Sequence, residues 1–148
     1  MIPAVFDTTA LLQAAANKNG PAGACLAFVD DGAVKLFQSA VTLDEIRDVL
    51  NRPKIRKAFP KLTDERVLDF LDHLVDKGHL VEDVPTVYRF ERDPNDEPYL
   101  NLAIAVHAPF LVSRDKDLLD LMKDADFRKA YPWLAILDPP AFLAHVRA

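Results

Sequence analysis

The chain has 148 residues, half of them hydrophobic and 28% charged, with a net charge of −5. That is the balance of a globule able to bury its own core, and it excludes a disordered chain and a broadly basic nucleic-acid coat. Its one cysteine, Cys25, excludes an intramolecular disulfide and a cysteine-based zinc site, and within AGACLAF it reads as buried filler.

The opening IPAVF is short, apolar and partly β-branched, and reads as a buried strand. A helical pattern covers residues 9–16 and ends at NKNGP. A second helix runs through AGACLAFVDDG, and the alternating AVKLFQS reads as the second strand. TLDEIRDVLNR is amphipathic, with Leu43, Ile46, Val49 and Leu50 on one face; Pro53 closes it, and a short helix is expected as far as Phe59. TDERVLDFLDHLVDKG is the clearest helix, striped by Val67, Phe70, Leu71, Leu74 and Val75 and ended by Gly78. HLVEDVPTVYRF reads as extended, with Pro85 suited to a sheet edge. DEPYLNLAIAVHA is helical, with Pro98 in the first turn, where its missing N–H costs nothing. PFLVS reads as a buried strand, DKDLLDLMKDADFRKAY as helical, LAILD as the last strand and PPAFLAHVRA as the closing helix. This alternation predicts one domain over residues 1–148, an α/β protein with a mostly parallel central sheet in a three-layer α/β/α sandwich.

No stretch approaches the roughly 20 apolar residues of a membrane span. The apolar opening is cut short by Asp7, too early for a signal peptide, so a cytoplasmic protein without membrane contact is expected.

In open parallel sheets, ligands bind outside the carboxyl ends of the strands, where strand order reverses. Asp7 follows the first strand and Asp115 follows PFLV. Glu45 lies in the helix after the second strand, and Asp96 opens the helix before PFLV. With the first strand beside PFLV, these four acids face one crevice. Gathered carboxylates repel one another, and a hard divalent cation such as Mg²⁺ or Mn²⁺ offsets that cost through oxygen ligands. The four histidines have no ligand spacing. Each acid also has a local role open to it. Asp7 and Asp115 suit helix N-caps, Asp93 or Asp96 can start a helix, and Glu45 can close a T-x-x-E capping box on Thr42 that turns it away from the crevice. For Asp7 the two roles are compatible: it begins a helix while its oxygens look out to a cation. RPKIRKAFPK carries five basic residues and no acid, which reads as solvated surface or as a basic rim beside the acids.

In this order, D-T at the first strand end, the helical Glu of LDEIRDVLNRPK, RDPNDEPYLNLA, FLVSRDKDLL and ILDPPAFL resemble the PIN-domain family over nearly the whole chain. The closer likeness is to its toxin branch in toxin–antitoxin systems, relatives of the VapC ribonucleases. The resemblance implies the α/β/α fold, Mg²⁺- or Mn²⁺-dependent hydrolysis of RNA, a homodimer, and an antitoxin partner that holds the enzyme inactive. Carried over by position, it makes Asp7, Glu45, Asp96 and Asp115 the catalytic acids, with Asp7, Asp96, Asp115 and Asp117 on the metal. Thr9, Ser113 and Glu97 are supporting neighbours of these acids, while Arg52, Lys54, Arg56, Lys57 and Arg114 are candidates for the RNA backbone. The chain departs from the family at Thr9, where Asn is usual and a hydroxyl has a shorter reach to orient Asp7. It departs again at Arg114, where a small residue is common, and at residues 107–109, which replace a Gly-Ala pair. The alternative is a catalytically weak or inactive PIN-like module that binds RNA or protein. A phosphatase-type phosphoryl-transfer fold would want an Asp where Thr9 stands.

Overall fold

The computed structural model describes residues 1–148. Five strands, β1 (Ile2–Phe6), β2 (Val34–Gln38), β3 (His79–Leu80), β4 (Phe110–Val112) and β5 (Ala135–Leu137), form one sheet in the order β3-β2-β1-β4-β5. Every pairing is parallel, and Phe6 lies opposite Val112 where β1 meets β4. Successive strand residues point to opposite faces, and here both faces are covered. Ala4, Phe6, Leu36 and Val112 enter one apolar core, against α1 (Thr8–Ala16), α2 (Pro21–Asp30), α3 (Ala40–Leu50), α5 (Asp64–Lys77) and α9 (Pro139–Arg147). Val5, Leu111 and Ile136 enter a second core on the other face, against α6 (Glu97–Ala105), α7 (Lys116–Leu119) and α8 (Ala125–Ala130). A short α4 (Pro53–Ala58) follows α3. The fold is therefore the three-layer α/β/α sandwich expected. No helix is long and apolar enough to cross a membrane.

Three local expectations are corrected. HLVEDVPTVYRF forms a strand only at His79–Leu80, and Val81 adds one last bond to the Gln38 carbonyl; at Asp83 the backbone takes a left-handed φ of 54° and the chain leaves the edge. The backbone of residues 87–90 finds its partners on α6 instead. Asn101 Oδ1 accepts from the N–H groups of Val87 and Tyr88, each at 2.9 Å, and Glu97 Oε1 accepts from that of Phe90 at 2.8 Å. The helix expected through DKDLLDLMKDADFRKAY is broken into α7, a 3-10 turn over Asp120–Lys123, and α8. Asp124 causes the break: it is extended, and its carboxylate caps the N–H groups of Asp126 and Phe127. In the α5 stripe, Val67, Phe70 and Leu74 are buried, Leu71 is half-buried and Val75 is exposed.

Gly78 ends α5 without a left-handed turn, its φ being −81°. The constraint is space. Gln38 Nε2 donates to the Leu74 carbonyl at 2.6 Å, and a Cβ on Gly78 would lie 1.5 Å from that nitrogen. Gly23 is tighter against backbone: a Cβ there would lie 2.2 Å from the Lys18 carbonyl oxygen, which cannot swing aside as a side chain can. Gly23→Ala is therefore expected to lower stability by about 1–3 kcal/mol in urea unfolding, despite alanine's better helix propensity. An unchanged midpoint would show that α1 and α2 separate at little cost.

Candidate metal centre

Strand order reverses at β1, and the crevice opens beyond the carboxyl ends of β1 and β4. Asp7 follows β1 and is the N-cap of α1, its Oδ1 accepting from the Ala10 N–H at 3.0 Å. The same Oδ1 accepts from the Thr9 hydroxyl at 2.7 Å, and Oδ2 accepts from the Ser113 hydroxyl at 2.5 Å. Thr9 Oγ1 in turn accepts from the Arg114 N–H, and Ser113 Oγ from the Asp115 N–H. Thr9 and Ser113 thus couple the loop after β4 to the carboxylate after β1. The two hydroxyls also close over Asp7, which is fully buried rather than turned outward as expected. Burial pushes its pKa up to about 6, with a smaller upward push from Asp115, while the hydrogen bonds from Ser113, Ala10 and Thr9 oppose the rise.

The outer acids come from three places. Asp115 caps α7 and accepts from the Asp117 N–H at 2.8 Å. Asp96 ends the 3-10 turn Pro94–Asp96 and opens α6. Asp93, a possible helix starter by sequence, caps that turn by accepting from the Asn95 N–H. One carboxylate oxygen each from Asp93, Asp96 and Asp115 lies within 4.8 Å of the others. Asp96 is only 8% exposed, and its buried Oδ2 has no hydrogen-bond partner. Burial raises its pKa far above the carboxylate range, and the facing acids Asp115, Asp93 and Asp7 raise it further. An oxygen-only set with an orphaned buried acceptor suits a hard divalent cation.

Glu45 does not close the T-x-x-E capping box that was open to it on Thr42. Helix α3 begins one turn earlier, at Ala40, and the box forms between Ser39 and Thr42. Half-buried, Glu45 has a raised pKa: burial is the main cause and Asp93 adds to it, against the hydroxyls of Thr8 and Tyr99 and the charge of Arg52. Thr8 and Tyr99 are themselves hydrogen-bonded, and Tyr99 is fully buried. No local pattern marks this hydroxyl pair; the one signal is that Tyr99 lies one turn beyond Asp96 on the same helix.

Asp117 and Glu97 point elsewhere. Asp117, expected on the metal, pairs with Arg92 at 2.5 Å, and Glu97 holds the Phe90 N–H. Of the basic residues, Arg56 is tied to the Leu50 carbonyl, Asn51 and Asp64, so it braces α3, α4 and α5 rather than standing free for phosphate. Arg52 pairs with Asp48, whereas Lys54, Lys57 and Arg114 are exposed and enter no salt bridge.

Raised carboxyl pKa values give the sign of a pH effect. Asp7 and Asp96 keep protons in the folded chain that the unfolded chain has lost, so their contribution to stability is complete below the unfolded value of 3.8 and declines as pH rises, through about 6 for Asp7 and higher for Asp96. In chelator, the Tm contribution of these acids should fall from about pH 5 to about pH 8, and the rise in Tm caused by millimolar Mn²⁺ should grow over the same range. Asp96→Asn should flatten both trends; a Mn²⁺ effect independent of pH would contradict the assignment.

Residues 3–117 match the family model of the PIN domain, a span that includes β4, all of β1 but Ile2, and the acids Asp7, Glu45, Asp93, Asp96 and Asp115. One chain of the crystal structure of VapBC2 from Rickettsia felis, bound to a DNA fragment from their promoter, aligns over 93% of this chain and 98% of its own length. The TM-score is 0.58 and the sequence identity 16%, so the likeness is one of fold. No curated protein matches by sequence. With more than two thirds of its residues covered by the family model, the chain belongs to the PIN-domain family.

Proposed function

We propose that this PIN domain is a Mg²⁺- or Mn²⁺-dependent ribonuclease and the toxin member of a toxin–antitoxin pair. The observation that carries the reading is the buried, unpartnered Asp96 oxygen facing Asp93 and Asp115, an arrangement that favours a proton in the bare protein and positive charge in its place when a cation binds. Asp93, Asp96 and Asp115 would hold the cation, with Asp7 behind them. Held by these residues, a divalent ion would supply a water of lowered pKa, whose deprotonated form is the nucleophile for a phosphodiester, and would offset the charge that builds on the phosphate.

The chain's own residues do the rest. Ser113 and Thr9 fix Asp7 and Asp115 to the ends of two paired strands, so the acids do not have to be ordered when substrate arrives. Glu45, with its raised pKa, is suited to hold or pass a proton at the crevice edge. Lys54, Lys57 and Arg114 offer free cations to the RNA backbone, and Arg52 could join them by giving up Asp48. The antitoxin partner is supported by the structural likeness to a VapBC2 chain. Exposed Leu68 and Val75 on α5 leave apolar surface for that partner or for a second copy of the chain.

Asp96→Asn and Asp7→Asn are each expected to reduce RNA cleavage by about a hundredfold or more while circular dichroism remains native. Cleavage by the parent chain should stop in chelator and return with Mn²⁺. Cleavage that persists in chelator, or in either variant, would overturn the metal mechanism. RNA binding without any cleavage would favour a non-catalytic module.

A further inference from the structure

The segment carrying Asp93 and Asp96 is held from two sides. On one side, Asn101 and Glu97 bind the backbone of residues 87–90 to α6. On the other, the Arg92 guanidinium crosses to α7 and the turn that follows. Its Nη2 donates to Asp117 Oδ1 at 2.5 Å and lies 3.7 Å from Asp120 Oδ2. Arg92 is the residue before Asp93, and Asp117 lies two residues beyond Asp115. The pair therefore spans the two parts of the chain whose carboxylates face each other across the candidate centre. Those like charges push the parts apart, and Arg92 is the cation paired across the gap.

We propose that Arg92 is a positioning residue of the metal centre: with Asp117 it forms a latch that keeps the Asp93 and Asp96 side against the Asp115 side at the spacing a cation requires. The proposal rests on the metal-centre reading above and assigns Asp117 to the latch instead of to the ion. One nitrogen, Nη2, faces both Asp117 and Asp120, so the latch depends on a positive charge at that point. The pair is too exposed to matter much for global stability, the Arg92 side chain being 55% and that of Asp117 38% accessible. Its effect is instead expected in the affinity for the cation, where a small change in carboxylate spacing is felt directly.

The test is a double-mutant cycle on the full chain, read by Mn²⁺ binding in electron paramagnetic resonance, with urea midpoints as the check on folding. Arg92→Ala and Asp117→Asn should each weaken Mn²⁺ binding roughly two- to fivefold with little change in midpoint. The double variant should bind no more weakly than the poorer single variant, because both substitutions release one latch. Arg92→Lys, which keeps the charge, should lose less than Arg92→Ala. Wild-type affinity in the single variants would overturn the latch, as would a lysine variant as weak as the alanine one. Additive losses would also overturn it and make Asp117 an independent ligand. If the parent chain binds no Mn²⁺ at all, the metal centre itself fails and the latch with it.

Discussion

The site is organised around the carboxylate of Asp7, buried where the two central strands end. Its backbone N–H donates to the Val112 carbonyl, and its oxygens take the Ala10 N–H and the hydroxyls of Thr9 and Ser113. A buried carboxylate is costly unless its acceptors are filled, and here the donors come from both sides of the β1–β4 junction. Satisfying Asp7 therefore sets where α1 starts, where the chain turns after β4, and where the Asp115 backbone is anchored through Ser113. The same contacts explain how Thr9 serves in place of an amide. Its single hydroxyl donates to Asp7 and accepts from the Arg114 N–H, which is the two-way task an asparagine would share between two atoms.

Around this inner acid the charge lies in two tiers. Asp7 is balanced by donors, whereas Asp96 has a buried oxygen with none and faces Asp93 and Asp115. Full ionisation of the outer tier in the bare protein is unfavourable, which is why protons are retained there. The difference gives the tiers separate tasks: the inner one builds the crevice, and the outer one is left in need of positive charge. Arg92 meets part of that need from the side, through Asp117 and Asp120, without entering the cluster.

Local sequence rules worked where a residue answers to its neighbours along the chain. The apolar runs of β1 and β4, the alternation of β2, the prolines in the first turns of α6 and α9, and the caps Asp7 and Asp115 were legible on that basis. They misled where another partner outbid the expected one. Ser39, as near to Thr42 as Glu45 is, closed the capping box and freed Glu45; farther along the chain, Asn101 and Glu97 drew residues 87–90 off the sheet edge, and Arg92 drew Asp117 away from the other acids. Asp93 was visible only as a helix starter, because nothing in RDPNDE tells which of its acids the fold turns toward Asp115.

The sequence by itself determined the α/β layering and the placing of acids after apolar strands, since these follow from periodicity and from the residues that start and stop each element. It also carried the PIN-domain pattern, for the same acids recur in order along the chain. Only the tertiary structure decided which carboxylates meet, which are buried and which are neutralised. Those outcomes depend on strand order and on contacts spanning up to 106 positions, as between Asp7 and Ser113, and no local pattern of charge or hydropathy encodes distance across a crevice.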